Sequence, residues 1–273
     1  MKPQKIRQLD EATIGFIAAG EVVERPAQVV KELVENSLDA GATSITITVE
    51  GGGFDRLSVE DNGSGIDRDD LPLALDRHAT SKLRTKDDLA SIVSLGFRGE
   101  ALASIGMVSR LQISSKTAGE AGACIVMEDG VKSAIQPMGM GDGTLITVEH
   151  LFRNTPARLA FQRRPETETA RIVDVVVDHA LAHPGCAFHL RTEQRTLLNV
   201  PATDNMLDRL YDIMGAQATE LVPLQQPPVD DDAPGAERWS GWISTPDITR
   251  GKGDDIHVPV SYTHLRAHET ADN

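Results

Sequence analysis

From Pro26 to Ala40 the sequence runs P-A-Q-V-V-K-E-L-V-E-N-S-L-D-A, and its two periodicities limit what the rest of the chain can be. Pro26 suits a first helical position and Gly41 suits a helix end. Val30, Leu33, Val34 and Leu38 recur at helical spacing and form one apolar stripe. Glu32, Glu35, Asn36 and Asp39 fall largely on the other side, with Lys31 the only cation there. A solvated face is the default reading of such a helix, although a bland one would mix lysines with its glutamates. Glu32 and Asn36 are four apart and stand one above the other. That pair can hold a water and a hard metal ion side by side.

Bulk properties narrow the classes. A length of 273 residues suggests about two domains. A hydrophobic content of 40% supplies an ordinary core, and no apolar run is long enough to span a bilayer. The start, M-K-P-Q-K-I-R-Q-L-D, lacks the apolar core of a signal peptide. Cys124 and Cys186 stand alone, which points to neither a disulfide framework nor a zinc site and fits a reducing cytosol. The formal net charge of −14 opposes tight non-specific nucleic-acid binding by the bare chain, without excluding a local basic groove. An aromatic content of 4% argues against a stacking platform for single strands.

Along the chain, Ile17 to Pro26 reads as a short helix or arm leading into the main helix. Ile45, Ile47 and Val49 alternate as a strand with one buried face, Gly51 to Gly53 make a turn, and Leu57 and Val59 mark a second strand, giving a hairpin. That strand runs into D-N-G-S-G-I (Asp61 to Ile66), where two glycines two apart permit a tight turn. Taken alone it is a plain Asx turn. Residues 67–95 read as helical and polar, with His78 structural. In G-F-R-G-E-A-L-A-S-I-G (Gly96 to Gly106), glycines precede a short helix from Glu100 to Ile105, a natural anion cradle but not a Walker A loop. Strands dominate next, ending with Thr144 to His150 after a glycine-rich turn. Arg158, Arg163 and Arg164 form the densest basic cluster, by default a solvated face. A helix over 166–183 turns Ile172, Val173, Val176, Val177 and Leu181 inward, two strands follow (Ala187 to Thr192 and Thr196 to Val200), and Pro201 to Asn205 reads as a domain boundary. Beyond it lie a helix, strand-like pieces and an acidic loop from Pro227 to Glu237.

The segments I-A-A-G-E-V-V-E-R-P, K-E-L-V-E-N-S-L-D-A-G-A, D-N-G-S-G-I, R-H-A-T-S-K, L-G-F-R-G-E-A-L and L-F-R-N-T-P-A-R together resemble the MutL family of DNA mismatch repair proteins, within the GHKL ATPase superfamily. The heptapeptide G-F-R-G-E-A-L is close to diagnostic, and the resemblance is strong over about residues 5–165. It implies an α/β fold: a GHKL (Bergerat) two-layer sandwich with a mixed, largely antiparallel sheet over residues 1–202, then a partial α/β transducer domain over 203–260. Residues 261–273 read as a non-native or disordered tail, so His257, His264 and His268 are not taken as a metal site.

The resemblance also implies roles. Glu32 would be the general base acting on the attacking water. Asn36 would give its side-chain oxygen to Mg²⁺, which takes most of its other ligands from phosphate and water. Asp61 would accept a hydrogen bond from the adenine amino group, where guanine presents a carbonyl. Gly63 and Gly65 would let the backbone approach the base, and Thr144 would join Asp61. Lys82, Gly96, Phe97, Arg98, Gly99, Glu100, Ala101 and Leu102 would belong to a lid, about residues 78–102, over the phosphates. Asp39 shares the face of Asn36, with a helix-end carboxylate bound to backbone as the equal alternative.

Implied cofactors are ATP and Mg²⁺. Implied partners are the mismatch-recognition protein MutS, a downstream nuclease or helicase, a second copy paired in an ATP-dependent homodimer, and DNA, bound weakly in a cytoplasmic, nucleoid-associated setting. The family's late N-V-H-P-A-K segment, which returns a lysine to the γ-phosphate, is absent. The alternative reading is a non-hydrolysing nucleotide-binding interaction module, or another GHKL ATPase.

Overall fold

The structure, a computed structural model, describes residues 23–82, 95, 99–224, 241–245, 258–260 and 263–265. The arm before residue 23, Gly96, Phe97, Arg98 and the acidic loop at 227–237 lie outside the described residues. The chain divides into two compact units, Met1–Ala202 and Thr203–Asn273.

In the first unit, helix α1 (Pro26–Asp39) begins on Pro26, and the chain leaves it through Gly41 at φ 73°. Val30, Leu33 and Val34 are buried as their spacing predicts, while Leu38 is half-buried. Strands β1 (Ser44–Glu50) and β2 (Arg56–Asp61) pair antiparallel. A single 3-10 turn at Arg68–Asp70 and the four-residue α2 (Leu71–Ala74) are all the helix that follows up to residue 82. The sequence-based expectation of a helix over 67–95 is therefore corrected: three aspartates and Pro72 favour short turns there, and residues 83–94 lie outside the described set.

Next come α3 (Ala101–Met107), β3 (Arg110–Lys116), β4 (Ala123–Glu128), β5 (Val131–Lys132), β6 (Gln136–Pro137) and β7 (Gly143–Glu149). They are followed by α4 (Pro156–Ala160), α5 (Pro165–Ala182), β8 (Ala187–Thr192) and β9 (Thr196–Val200).

These nine strands make one sheet in the order β5-β4-β3-β7-β2-β1-β8-β9, with β6 also on β4. β1 and β8 run parallel and the other paired strands antiparallel, so the sheet is mixed and largely antiparallel. The register aligns side chains in rows across the covered face, because directly opposed residues point to the same side. One row runs Leu190, Ile47, Val59, Ile146, Ile113, Ile125. A second contains Val49, Leu57, Val148, Leu111 and Met127. Every residue of both rows is buried, and α1, α3 and α5 pack against the sheet. The third row, at the other end of the strands, reads Phe188, Ile45, Asp61, Thr144, Ser115, Ala123. Its middle is polar, so the core face ends in a hydrophilic notch.

Two faces differ from the sequence-based expectation. Glu35 is only 5% exposed and does not face water, because α5 packs beside α1 on that flank. On α5, Ile172, Val176 and Leu181 are buried as expected, but His179 and Ala180 take the inward places assigned to Val173 and Val177, which are half-buried.

The second unit, by itself, holds α6 (Met206–Met214), whose first turn is capped by Asn205 Oδ1 accepting from the Leu207 amide at 3.0 Å. Its β10 (Leu221–Leu224) pairs antiparallel with β11 (Gly241–Ser244), and β12 (Val258–Val260) pairs with β13 (Thr263–Leu265).

Candidate functional site

The period-two alternation that buries Leu57 and Val59 carries Asp61 onto the same covered face at the last residue of β2. There α1 crosses the strand end. Ser37 Oγ donates to Asp61 Oδ2 at 2.7 Å, and the Gly63 amide donates to Oδ1 at 2.9 Å. Burial pushes the Asp61 carboxyl above the ordinary aspartate value, and the Ser37 hydroxyl and the backbone at Gly63 and Thr144 pull partly back. Each carboxylate oxygen keeps room for a second donor. A half-buried acceptor with both oxygens oriented by fixed donors is built to read an N–H group.

The D-N-G-S-G-I turn is fastened on both sides. Asn62 Oδ1 accepts from the Thr43 and Ser44 amides at 2.9 Å each, and the Ser64 amide reaches the Ala40 carbonyl at 2.9 Å. The Ile66 amide donates to Ser115 Oγ at 2.7 Å. Gly65 has φ 74°, and a Cβ there would lie 2.3 Å from the Lys116 carbonyl oxygen. Gly65→Ala therefore combines left-handed strain with a backbone clash. Its unfolding free energy is expected to fall by roughly 1–3 kcal/mol in a denaturant titration, and an unchanged midpoint would show that the loop is not seated on β3.

Thr144 faces Asp61 across the β2–β7 ladder, and its Oγ1 lies 3.0 Å from Ser115 Oγ. Ser115 is buried and also donates to the Gly143 carbonyl at 3.0 Å. Sequence reasoning missed Ser37 and Ser115. The signal was available: each is a polar residue on an apolar period, Ser37 in the stripe of Val30, Leu33 and Val34, and Ser115 in the alternation of Leu111 and Ile113.

On the next flank of α1, Glu32, Asn36 and Asp39 are all half-buried. Lys82 Nζ lies 2.8 Å from Asn36 Oδ1 and 2.5 Å from Asp39 Oδ2, while Asp39 Oδ1 accepts from the Leu95 amide at 2.9 Å. Asp39 is thus bound to backbone, but to that of residue 95 and not of its own helix. The Asn36 oxygen already faces a cation in this arrangement, which is the donor chemistry a Mg²⁺ ion requires. Among the described residues no group of three or more His, Cys, Asp or Glu side chains could cage an ion, so a divalent cation here would take most of its ligands from phosphate and water.

Lys82 is held at α1 by Asn36 and Asp39. Gly99 (φ 62°) and Glu100 precede that helix, the His78 amide bonds the Gly99 carbonyl at 3.0 Å, and Glu100 Oε1 meets His78 Nδ1 at 3.0 Å. Ala101 and Leu102 open α3 and are half-buried. A cleft of about 410 Å³ lies at the end of α1, lined by Leu38, Asp39, Ala42, Leu95, His183, Gly185 and Cys186. It shares Asp39 with this flank but contains neither Asp61 nor Thr144. Of the basic cluster, Arg163 and Arg164 are exposed, but Arg158 is half-buried with its guanidinium 5.7 Å from the centre of the Phe152 ring.

Residues 24–135, which hold this helix, carboxylate and glycine turn, match a family model described as histidine kinase-, DNA gyrase B- and HSP90-like ATPase. A solved MutL ATPase domain from Aquifex aeolicus, complexed with ADP, is 31% identical, with a TM-score of 0.56 over 71% of this chain and 70% of that one. The chain belongs to the MutL family of GHKL ATPases. The MutL protein of Trichlorobacter lovleyi is 47% identical over 96% of this chain, and that of Halalkalibacterium halodurans 45% over 96%. The chain spans only 43% and 40% of those two MutL proteins. A further solved structure, the N-terminal domain of a DNA repair protein, shares the fold with a TM-score of 0.74 at 24% identity. No helix among the described residues is long and apolar enough to cross a membrane.

Proposed function

We propose that this chain is the ATP-binding and hydrolysing switch of a DNA mismatch repair protein. The observation that carries the reading is Asp61: a carboxylate oriented by Ser37 and Gly63 at the polar end of the core face, beside a helix whose adjoining flank presents Glu32 and Asn36. Asp61 accepts the hydrogen bond of the adenine amino group, and guanine fails because an acceptor then faces an acceptor. Thr144 borders the same notch, and Gly63 lies so close to Ala40 that a Cβ there would come within 2.9 Å of it, which leaves no room for a side chain at that turn. Glu32 takes the proton of the attacking water. Asn36 Oδ1 is the protein oxygen that would hold Mg²⁺, an ion that when bound neutralises charge on the phosphates. Lys82 leaves Asn36 and Asp39 for the phosphate oxygens, beside the amides of Gly99 to Leu102.

Two further parts of the proposal concern assembly. Nucleotide loading favours a closed lid and pairing of two copies, because a ligand that contacts one state more strongly shifts the population towards it. The paired form then signals from the mismatch-recognition protein to a nuclease or helicase. Arg163 and Arg164, with Arg158 behind them, border a weak, salt-dependent DNA contact.

Steady-state phosphate release by the purified chain separates this reading from a non-hydrolysing nucleotide-binding module: the first turns ATP over in the presence of Mg²⁺, the second only binds it. The lid is tested by hydrogen exchange. A non-hydrolysable ATP analogue with Mg²⁺ is expected to raise amide protection at residues 78–82 and 99–102 more than anywhere in 203–224. Equal exchange in both states would leave a passive binding module.

A further inference from the structure

The flank of α1 turned to α5 carries a polar contact for which the proposed chemistry has no use. Glu35 stands three residues after Glu32 and one before Asn36, and it is buried. Lys31 Nζ, one turn earlier, reaches Glu35 Oε1 at 3.0 Å, and His179 Nε2, from α5, lies 3.6 Å from the same oxygen. The His179 ring is itself 2% exposed. Its Nδ1 lies 2.7 Å from the Val175 carbonyl oxygen. A carbonyl only accepts, so Nδ1 carries a hydrogen, and Nε2 is the nitrogen turned to Glu35, at ion-pair rather than hydrogen-bond distance. The ring is thus fixed to its own helix at one edge and addresses α1 with the other. Burial pushes the Glu35 carboxyl up, but His179 and Lys31 outweigh it and hold the carboxyl below its ordinary value. One turn further along, His183 lies within the electrostatic reach of Asp39 and Glu35. His179 on α5 and His183 at its C-cap therefore run beside two carboxylates a turn apart on α1.

The rest of the buried α1 surface is Pro26, Ala27, Val29, Val30, Leu33 and Val34, together with Ser37, whose hydroxyl pins the last turn to Asp61. Apolar burial is non-directional, so before that last turn these contacts keep α1 on the sheet without strongly fixing its rotation about its own axis. A polar pair is directional. At 100° per residue, Glu35 sits about 60° around the helix from Glu32, close enough for one to set the direction of the other. A roll of about 20° would carry a group at the outer radius of the helix, about 5–6 Å, through about 2 Å. A displacement of that size matters to a general base, for which even 1 Å can cost about 10²-fold.

We propose that His179 is a positioning residue for hydrolysis, acting through Glu35 to fix the roll of α1 and so the direction of Glu32 and Asn36. The proposal rests on the roles given to those two residues above.

The test compares ATP hydrolysis by the parent chain, Glu35→Gln, His179→Phe, His179→Arg and the double variant Glu35→Gln/His179→Phe, alongside ADP affinity. The two single changes that break the contact are expected to lower kcat about tenfold, with KM and ADP affinity within about twofold of the parent. The double variant is expected to lose no more than the worse single change, since both remove one contact. His179→Arg, a longer cation that still reaches Glu35, is expected to restore kcat to within about twofold. Unchanged kcat in Glu35→Gln and His179→Phe, losses that multiply in the double variant, or KM rising in step with falling kcat would each overturn the proposal, the last by showing a general collapse of the site. If His179→Phe does not fold, the near-isosteric Glu35→Gln with His179→Arg decides the same question. A parent chain that releases no phosphate removes the ATPase reading and this proposal together. Parent turnover with unaffected variants removes only the positioning role.

Discussion

Glu32→Ala is expected to bind ATP within a few-fold of the parent chain and to hydrolyse it about 10²–10⁴ times more slowly. On the proposed reading the glutamate touches the attacking water and not the nucleotide, so binding energy is nearly independent of it. On the same reading the nucleotide would be held elsewhere, by Asp61 at the end of β2 and the Asn36–Asp39 flank one turn further along α1. Single-turnover hydrolysis with the chain in excess, together with a titration of a fluorescent ATP analogue, gives both quantities from one preparation. A variant that binds ATP poorly would make Glu32 a structural residue of α1 and end its assignment as the base.

Asp61→Asn is expected to weaken nucleotide binding about 10–150-fold and not merely slow turnover. The geometry makes this change harsher than its size suggests. Ser37 Oγ donates to one carboxylate oxygen and the Gly63 amide to the other. An asparagine presents one oxygen and one NH₂ group, so it accepts at only one of the two positions that the carboxylate fills, and it offers the adenine amino group no negative charge. Losing a charge-assisted bond here costs roughly 1.5–3 kcal/mol, an affinity loss of about 10–150-fold. The parent chain supplies an internal control. Because burial raises the Asp61 carboxyl above the ordinary aspartate value, its protonated form appears at a higher pH than usual, and affinity in the parent weakens correspondingly early on acidification. The variant has no such titration. Unchanged affinity of Asp61→Asn for the analogue would remove Asp61 from the adenine site.

The parts of the fold legible in the sequence are those where one periodicity dominates. Ile45, Ile47 and Val49 alternate against Leu57 and Val59, and the two strands pair in that register. Asp61 continues the same alternation, so its place on the covered face was readable from parity alone. Glu35 was not readable, because its burial is imposed by α5, which arrives more than a hundred residues later and brings His179 to it. A helix seen alone shows only how wide its apolar stripe is, not how many neighbours it will have. The same limit applies on α5, where Val173 and Val177 looked like core yet His179 and Ala180 lie deeper. A histidine counts as polar in a pattern, but with a carboxylate to meet it can be buried. Ser37 and Ser115 were hidden for the opposite reason: each interrupts an apolar period by one residue, and small polar residues are common enough in such positions to pass unremarked. The stretch after Asp67 misled because its polarity suits a solvated helix equally well as a set of turns.

The polar row that ends the core face has a consequence for how a working cycle would be timed. Asp61, Thr144 and Ser115 sit on adjacent strands, and Ser37 locks α1 onto them. On the proposed reading, that half of the site addresses the base. Fuel and spent fuel carry the same base, so this half would greet both alike and not sense that hydrolysis has happened. Any distinction between them has to be drawn on the other flank of α1, where Lys82 is shared between Asn36 and Asp39. On the proposed reading, the spent nucleotide stays gripped by its base after its terminal phosphate has gone. The interval before the chain can accept another molecule is then set by how slowly the adenine lets go of the strand ends, and accumulated ADP acts as a brake on the cycle.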